Sequence, residues 1–289
     1  MTAAADDRTF VLSGIDNGNA ETTWHLLRIS PGAARPARLT QLPIAPLRAQ
    51  IHGLALSQDG RQLAIMLDGP SGLQLSTYSV SSGALLGSWH TDVAYWSLRT
   101  AGDNAYGLSW LADGRHFAFR FDAYAKNSLD HLVTVRTLDV TAAGHDLLAG
   151  SRLDLQAPLS VTRPAATEPC VSSLAAPDGR SVVCTAASST GQGKPGCSGM
   201  LSSLVSYSTA TGKRLRVLYQ DPRPCRAVVA LPVWTDSSAS QVIGVVQGPA
   251  TNSKIGASTL GLIVAGHITP LPSPGVSFLV LDNLGSIAF

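Results

Sequence analysis

Apolar residues in this chain come in short runs separated by one recurring kind of turn. The clearest copy is Leu54-Ala55-Leu56-Ser57-Gln58-Asp59-Gly60-Arg61-Gln62-Leu63-Ala64-Ile65-Met66-Leu67, an apolar run, an Asp-Gly turn and a second apolar run. Asp-Gly tolerates the positive φ angles that a two-residue hairpin loop needs, and apolar runs on both sides make it a strong hairpin signal. Each run is short and apolar at successive positions, which predicts strands buried on both faces. The glycine and the brevity of the runs oppose a helix.

The pattern returns along the chain. Asp6-Asp7-Arg8 followed by Phe10-Val11-Leu12 reads as a turn and the strand after it, with further strands at Trp24 to Ile29 and Arg38 to Leu42. A complete second unit has strands at Ile51 to Leu56, Gln62 to Leu67, Leu73 to Val80 and Ala84 to Trp89. The third has Tyr106 to Trp110, Asp113-Gly114-Arg115, Phe117 to Phe119 and His131 to Leu138. A long excursion from Thr141 to Leu155 ends it, in which His145 to Ala149 suits a short helical turn. The fourth turns at Asp178-Gly179-Arg180, the fifth more loosely at Asp236-Ser237-Ser238, and a sixth starts at Val276 and stops at Phe289. The units span approximately 6–44, 50–91, 104–155, 169–219, 225–271 and 275–289.

Four-stranded repeats of roughly 45 to 65 residues read as blades of a β-propeller. The expected fold is therefore all-β: four-stranded antiparallel blades arranged as one propeller domain over 1–289. Unit one lacks an inner strand in this reading and unit six lacks its outer two. That favours six blades with an incomplete closing blade; five blades, with Val276 to Leu281 completing unit one, is the alternative.

Composition narrows the picture. The chain has 289 residues, 45% hydrophobic and 14% charged, with a net charge of +2. That excludes a disordered chain and suits a large buried interior. Lys and Arg are scattered without a basic stripe, so nucleic acid is not expected as a partner. No apolar run approaches the length of a spanning helix. The N-terminus lacks the basic and apolar regions of a signal peptide. Membrane insertion by this chain is not expected, and a monomer is.

All four cysteines, Cys170, Cys184, Cys197 and Cys225, fall in one quarter of the chain. An even, clustered count suggests disulfides and an oxidising compartment. Free buried thiols are one alternative. Zinc is the other, although it wants closer Cys-x-x-Cys pairs. Three pairings are open. Cys184–Cys197 closes the loop between neighbouring antiparallel strands. Cys170–Cys225 links equivalent positions before the inner strands of successive blades, and this combination is preferred.

The Asp-Gly-Arg hairpins at 59–61, 113–115 and 178–180 resemble the WD40-like and TolB-like propeller repeats of bacteria. The opening from Thr2 to Leu12 and the segment Leu147 to Leu153 look like a family of actinobacterial propeller proteins. The resemblance covers nearly the whole chain. Members often carry one membrane-spanning segment before the propeller. The resemblance thus implies an extracytoplasmic body anchored by an upstream segment; a chain complete as given would instead be cytoplasmic. The Gly-His and Trp-Asp pairs of eukaryotic WD40 repeats are absent.

No nucleophile elbow, His-Glu-x-x-His, Walker loop or dinucleotide fingerprint occurs. Glu21 and Glu168 are the only glutamates, and the seven histidines are scattered, with His52 and His116 flanking hairpins. No cofactor and no metal site is expected. A propeller's channel mouth is lined by the starts of its inner strands, which makes Gln50, His52, Tyr106, Glu168 and Arg226 the ligand-binding candidates. The loop Ser188 to Gly199 and the Trp89-His90, Tyr95-Trp96 cluster are candidates for an exposed recognition surface, although core packing explains these aromatics equally well. The expected function is non-catalytic binding of a protein or cell-envelope ligand through the channel mouth or loops. The alternative is a propeller hydrolase or lactonase acting at that mouth, with calcium as a conceivable aid.

Overall fold

The computed structural model describes residues 2–4, 8–16, 21–30, 37–48, 50–69, 72–91, 107–124, 131–141, 144–159, 170–188, 201–220, 230–236, 238–247 and 258–271. These residues form five four-stranded antiparallel sheets, each one blade of a propeller. Blade one is β1 (Thr2–Ala3), β2 (Thr9–Asp16), β3 (Glu21–Ile29) and β4 (Ala37–Gln41). Blade two is β5 (Gln50–Leu56), β6 (Gln62–Gly69), β7 (Gly72–Ser79) and β8 (Leu85–His90). Blade three is β9 (Leu108–Trp110), β10 (His116–Tyr124), β11 (His131–Asp139) and β12 (Ser151–Leu159). Blade four is β13 (Cys170–Ala175), β14 (Ser181–Ser188), β15 (Leu201–Ser208) and β16 (Arg214–Gln220). Blade five is β17 (Ala230–Thr235), β18 (Gln241–Gln247), β19 (Ser258–Val264) and β20 (His267–Pro270).

The innermost strands β1, β5, β9, β13 and β17 touch in that order. The described residues thus make a five-bladed propeller, the count the sequence reading held as its alternative. The sixth unit, 275–289, lies outside the described residues. Two expectations are corrected. Blade one has an inner strand, because Thr2 and Ala3 pair with Val11 and Phe10; two residues are too few to show a hydrophobic period. The excursion of unit three returns as an outer strand: Ser151–Leu159 pairs with β11. The expected short helical turn stands at 146–150, where Gly150 N–H donates to Asp146 O at 3.0 Å. Within that excursion, Asp146 bridges His90, and fully buried Leu147 joins the cluster between blades two and three.

Four hydrophobic clusters fill the four junctions between successive blades. This explains the unbroken apolar runs: Leu63 and Ile65 of β6 face blade one, whereas Ala64 and Met66 face blade three. Both faces of an inner strand are dry, so the strand needs no polar alternation.

The turns are repeated atom for atom in their hydrogen bonds. Ser57 N–H donates to Gln62 O at 2.9 Å and Gly60 N–H to Ser57 O at 2.8 Å. The same pair recurs at Leu111/His116 with Gly114, at Ala176/Ser181 with Gly179, and at Asp236/Gln241 with Ala239. The expected two-residue loop is therefore longer by two residues. Gly60 has φ +70° while Asp59 is not in the left-handed region, so the loop is a turn ending in one left-handed residue. The Asp at these turns has a backbone role: Asp59 Oδ1 accepts from Arg61 N–H at 3.0 Å, Asp113 Oδ1 from Arg115 N–H at 2.9 Å, and Asp178 Oδ1 from Arg180 N–H at 2.8 Å. Ser57 Oγ donates to Asp59 at 2.6 Å and is the main influence holding that carboxyl below its ordinary range. The Arg carbonyls at 8, 61, 115 and 180 each accept an N–H from the residue at or just past the end of the third strand, at Ile29, Val80, Val140 and Thr209.

One ion pair ties the two turns of blade three together. Arg115 grips Asp139 with Nε at 2.9 Å from both oxygens and Nη2 at 2.5 Å, while Thr141 donates its N–H and hydroxyl to Oδ1. The guanidinium, then the Thr141 bonds, hold the Asp139 carboxyl well below the usual carboxylate range. A depressed carboxyl stabilises above its unfolded pKa of about 3.9, and that contribution is lost as pH falls through the folded value. Asp139→Asn should therefore lower the urea midpoint at neutral pH. The gap between mutant and parent should close progressively once the pH drops below about 4. A gap unchanged in acid would show that the pair is held by geometry other than charge.

Candidate functional site

Of the five channel-mouth candidates, the described residues place two. Gln50 opens β5 opposite Asp68. His52 lies on the same strand and is 8% exposed. Tyr106, Glu168 and Arg226 lie outside the described residues.

His52 is the extra residue of a β-bulge. Ile51 pairs with Leu67 and Gly53 with Met66, and His52 is inserted between these two pairs. Inner strands β13 and β17 carry the same irregularity, at Val171 and Val233. Bulges re-aim side chains and are over-represented at rims and sites. Here they recur in three inner strands, and at His52 and Val171 they fall in the first half, where the chain comes in from the mouth. This was not legible in the sequence, since a bulge leaves no hydrophobic signature.

Close backbone approach marks the inner wall. A Cβ on Gly107, just before β9, would overlap the carbonyl oxygen of Ser173 on β13. Blades three and four therefore meet main chain to main chain at this point, and only glycine permits it.

The cysteines correct a second expectation. Cys170 is bonded to Cys184, with Cα atoms 5.3 Å apart, and both are buried in the junction of blades three and four. The preferred Cys184–Cys197 and Cys170–Cys225 pairs are therefore overturned. Cys197 and Cys225 lie outside the described residues. The reason is again a bulge. The register from Ser172 opposite Thr185 onward would put residue 170 opposite 187, on the face away from Cys184. The extra residue Val171 shifts Cys170 opposite Ala186, diagonal to Cys184 and on its face.

Trp89 settles part of the aromatic cluster. It is 4% exposed and packs edge-on to Phe117 at 5.8 Å, so it belongs to the core and not to a recognition surface. Tyr95, Trp96 and residues 189–200 of the long loop lie outside the described residues. Buried Arg120, 1% exposed on β10, was missed by sequence reasoning, because a single cation in an apolar strand looks like an edge residue. Among the described residues no group of three or more His, Cys, Asp or Glu is placed to hold a metal ion. No helix among them is long and apolar enough to cross a membrane.

An open groove lies between blades one and two, on the end carrying the Asp-Gly turns. It holds about 470 Å³ and is lined by Leu26, Arg28, Arg61, Ser81 and Leu86, among others. It is far along the strands from the mouth where Gln50 and His52 begin β5.

Neither family models nor curated proteins match the chain by sequence. Solved structures do match by shape. TolB from Acinetobacter baumannii superposes with a TM-score of 0.53 at 11% identity, over 94% of this chain and 54% of that one. The chain thus spans about half the length of that TolB. The Swd1 β-propeller domain from Myceliophteria thermophila gives 0.45 at 10% identity, over 83% of this chain and 64% of that one. A nidogen/laminin complex gives 0.46 at 12% identity, over 92% and 78%. At such identities the TolB likeness speaks to fold alone, and it agrees with the sheet order: the described chain is an all-β propeller of five four-stranded blades.

Proposed function

We propose that this chain is a non-catalytic propeller scaffold that binds a protein or cell-envelope ligand at the channel mouth, with Gln50, His52, Tyr106, Glu168 and Arg226 around the opening. The observation that carries this reading is the use made of the carboxylates. Asp59, Asp113, Asp178 and Asp236 are each engaged by backbone N–H groups of their own turns. Asp139 is held by Arg115, and Asp154 by Thr137 and Arg152. Acid–base chemistry needs a carboxyl or imidazole that faces a cleft, and these groups instead hold the scaffold in shape. Propellers host both binding and hydrolysis, so the fold itself is neutral between them.

The buried Cys170–Cys184 bond supports an extracytoplasmic body, since such bonds persist in oxidising compartments. An upstream anchor and a monomeric state complete the proposal.

The test has two arms. A photo-crosslinking residue at position 50 should capture a defined envelope component, whereas the same residue at 152, on an outer strand, should not. In parallel, purified protein is screened for esterase, lactonase and glycosidase turnover. Turnover that disappears in His52→Ala overturns the binding-only reading in favour of the hydrolase. Equal capture at 50 and 152 overturns the mouth as the site.

A further inference from the structure

Every blade of a propeller leaves its fourth strand with one unpaired edge, a row of N–H and C=O groups that invites another strand. In this chain four of the five described edges are blunted. β8 carries an extra residue, Leu86, against β7. β12 carries Asp154 against β11, and also Pro158. β16 carries two, Leu215 and Leu218. β20 is four residues long and ends at Pro270. Bulges, proline and brevity are the devices that keep sheet edges from pairing.

β4 has none of them. Its five residues pair with β3 in unbroken register, from Ile29 opposite Ala37 to His25 opposite Gln41. Four are exposed, Leu39 at 57%. Leu42 N–H donates to Trp24 O just past its end, which sets the alternation. Residues 38 and 40 bond inward to β3, and the N–H groups of 37, 39 and 41 therefore point away from the sheet.

Charge on this edge has one sign. Arg28 and Arg38 are directly opposite each other, hence on one face, together with Leu26 and Thr40. Like charges in that relation are destabilising. Among the described residues neither guanidinium group has an ion-pair or hydrogen-bond partner. Arg28 also lines the groove between blades one and two, where Arg61 adds a third cation over a floor that includes Leu26, Val80 and Leu86. Among the described residues the acid within reach of Arg61 is Asp59, at 3.8 Å, which its own turn already engages.

We infer that the open edge of β4 is a docking strand for an extended acidic peptide. The peptide adds as a fifth strand to blade one, in the manner of β-strand addition. One carboxylate lies opposite Arg38, and the next on the same face reaches toward Thr40 and the Arg28–Arg61 groove. Alternate residues are apolar and meet Leu39 on the other face. A second copy of β4 is disfavoured as the occupant, because it brings another arginine to a face that already holds two. Repulsion of the self-pair and attraction of an acidic strand come from the same side chains. This site is on the outer edge of blade one and does not depend on the reading of the channel mouth.

The probe is a short fluorescent peptide of alternating Glu and Val, its control the same peptide with Lys for Glu, both titrated against the full chain. Saturable binding of the Glu peptide, absent for the Lys peptide and weakened by salt, is expected. Arg38→Glu should weaken the Glu peptide about tenfold or more and admit the Lys peptide. Leu39→Pro removes an outward N–H without touching the bonds to β3 and should abolish binding of the Glu peptide. Arg38→Glu is on an exposed position and keeps the test valid if the proline variant fails to fold. Equal binding of the two peptides, no binding of either at about millimolar concentration, or indifference to Arg38→Glu overturns the proposal. So does saturable binding to anionic lipid vesicles without binding of the Glu peptide.

Discussion

Phe117→Ala should cost about 3–5 kcal/mol of stability, the largest loss expected from a single substitution in this chain. Phe117 is the second residue of β10, the second strand of blade three, and is fully buried. Its ring meets Trp89 of blade two at 5.8 Å and Trp110 of its own blade at 5.7 Å, both edge-on. Such geometry adds about 0.5–1.5 kcal/mol per pair beyond the area buried. The void would open at the junction of two blades, where backbone strands on either side limit collapse. A loss of this size is a large part of the total stability of an ordinary domain. Chemical denaturation should show a lower midpoint with an unchanged slope. Trp110→Phe provides the contrast. The indole N–H groups of Trp89 and Trp110 find no acceptor among the described residues, so removing one of them relieves an unsatisfied donor. That variant should lose much less than Phe117→Ala. If Trp110→Phe proved the more damaging of the two, packing of the aromatic ladder would not be what joins blades two and three.

The contrast also shows which features of the fold could be read in advance. Leu63 to Leu67 is apolar at every position because alternate residues serve different junctions, and that double burial is visible as an unbroken run. The Asp-Gly-Arg turns were legible for a related reason: one left-handed residue with an Asx side chain before it is a local requirement, repeated at Gly60, Gly114 and Gly179. Ala239 shows the limit. It takes the same left-handed place at φ +53° with its methyl buried, so in blade five the turn persists without its glycine and the motif looked loose. Outer strands were harder still. β12 follows a long excursion, and the extra residue Asp154 breaks its alternation of polar and apolar residues, so the strand stands out only once β11 pairs with it.

Site features were less legible than fold, for a physical reason. Register decides which residues share a face, and a single bulge reverses the answer. His52 was chosen for being near the start of an inner strand, and the bulge that distinguishes it appears only in the ladder. The Arg28–Arg38 pair was present in sequence on two strands that the reading had already identified. Its significance depends on the pairing in register and on the absence of a bulge from that edge alone. Local turn chemistry is encoded within a few residues. Juxtaposition across strands is encoded by the whole blade.

The Cys170–Cys184 bond carries the second large effect. It closes a loop with a sequence separation of 14 residues, and a loop of that length contributes about 3 kcal/mol by restricting the unfolded chain. In a chain of this size that corresponds to a fall in Tm on the order of 5–10 °C when the bond is lost. The double variant Cys170→Ala/Cys184→Ala should show this fall. Alanine suits the test because the site is apolar, packed by Leu111, Ala118 and Val135 from blade three. Serine would add a second effect, an unsatisfied hydroxyl. Reductant should lower the Tm of the parent and leave the double variant unchanged at that junction. Because the bond ties β13 to β14 within one sheet, its loss should raise hydrogen exchange in those two strands first, ahead of blades one and two. Peptide mapping without reductant should recover residues 170 and 184 in one linked pair. Recovery of Cys184 linked to Cys197, or of Cys170 linked to Cys225, would mean that Val171 does not bulge and that β13 pairs with β14 in the other register.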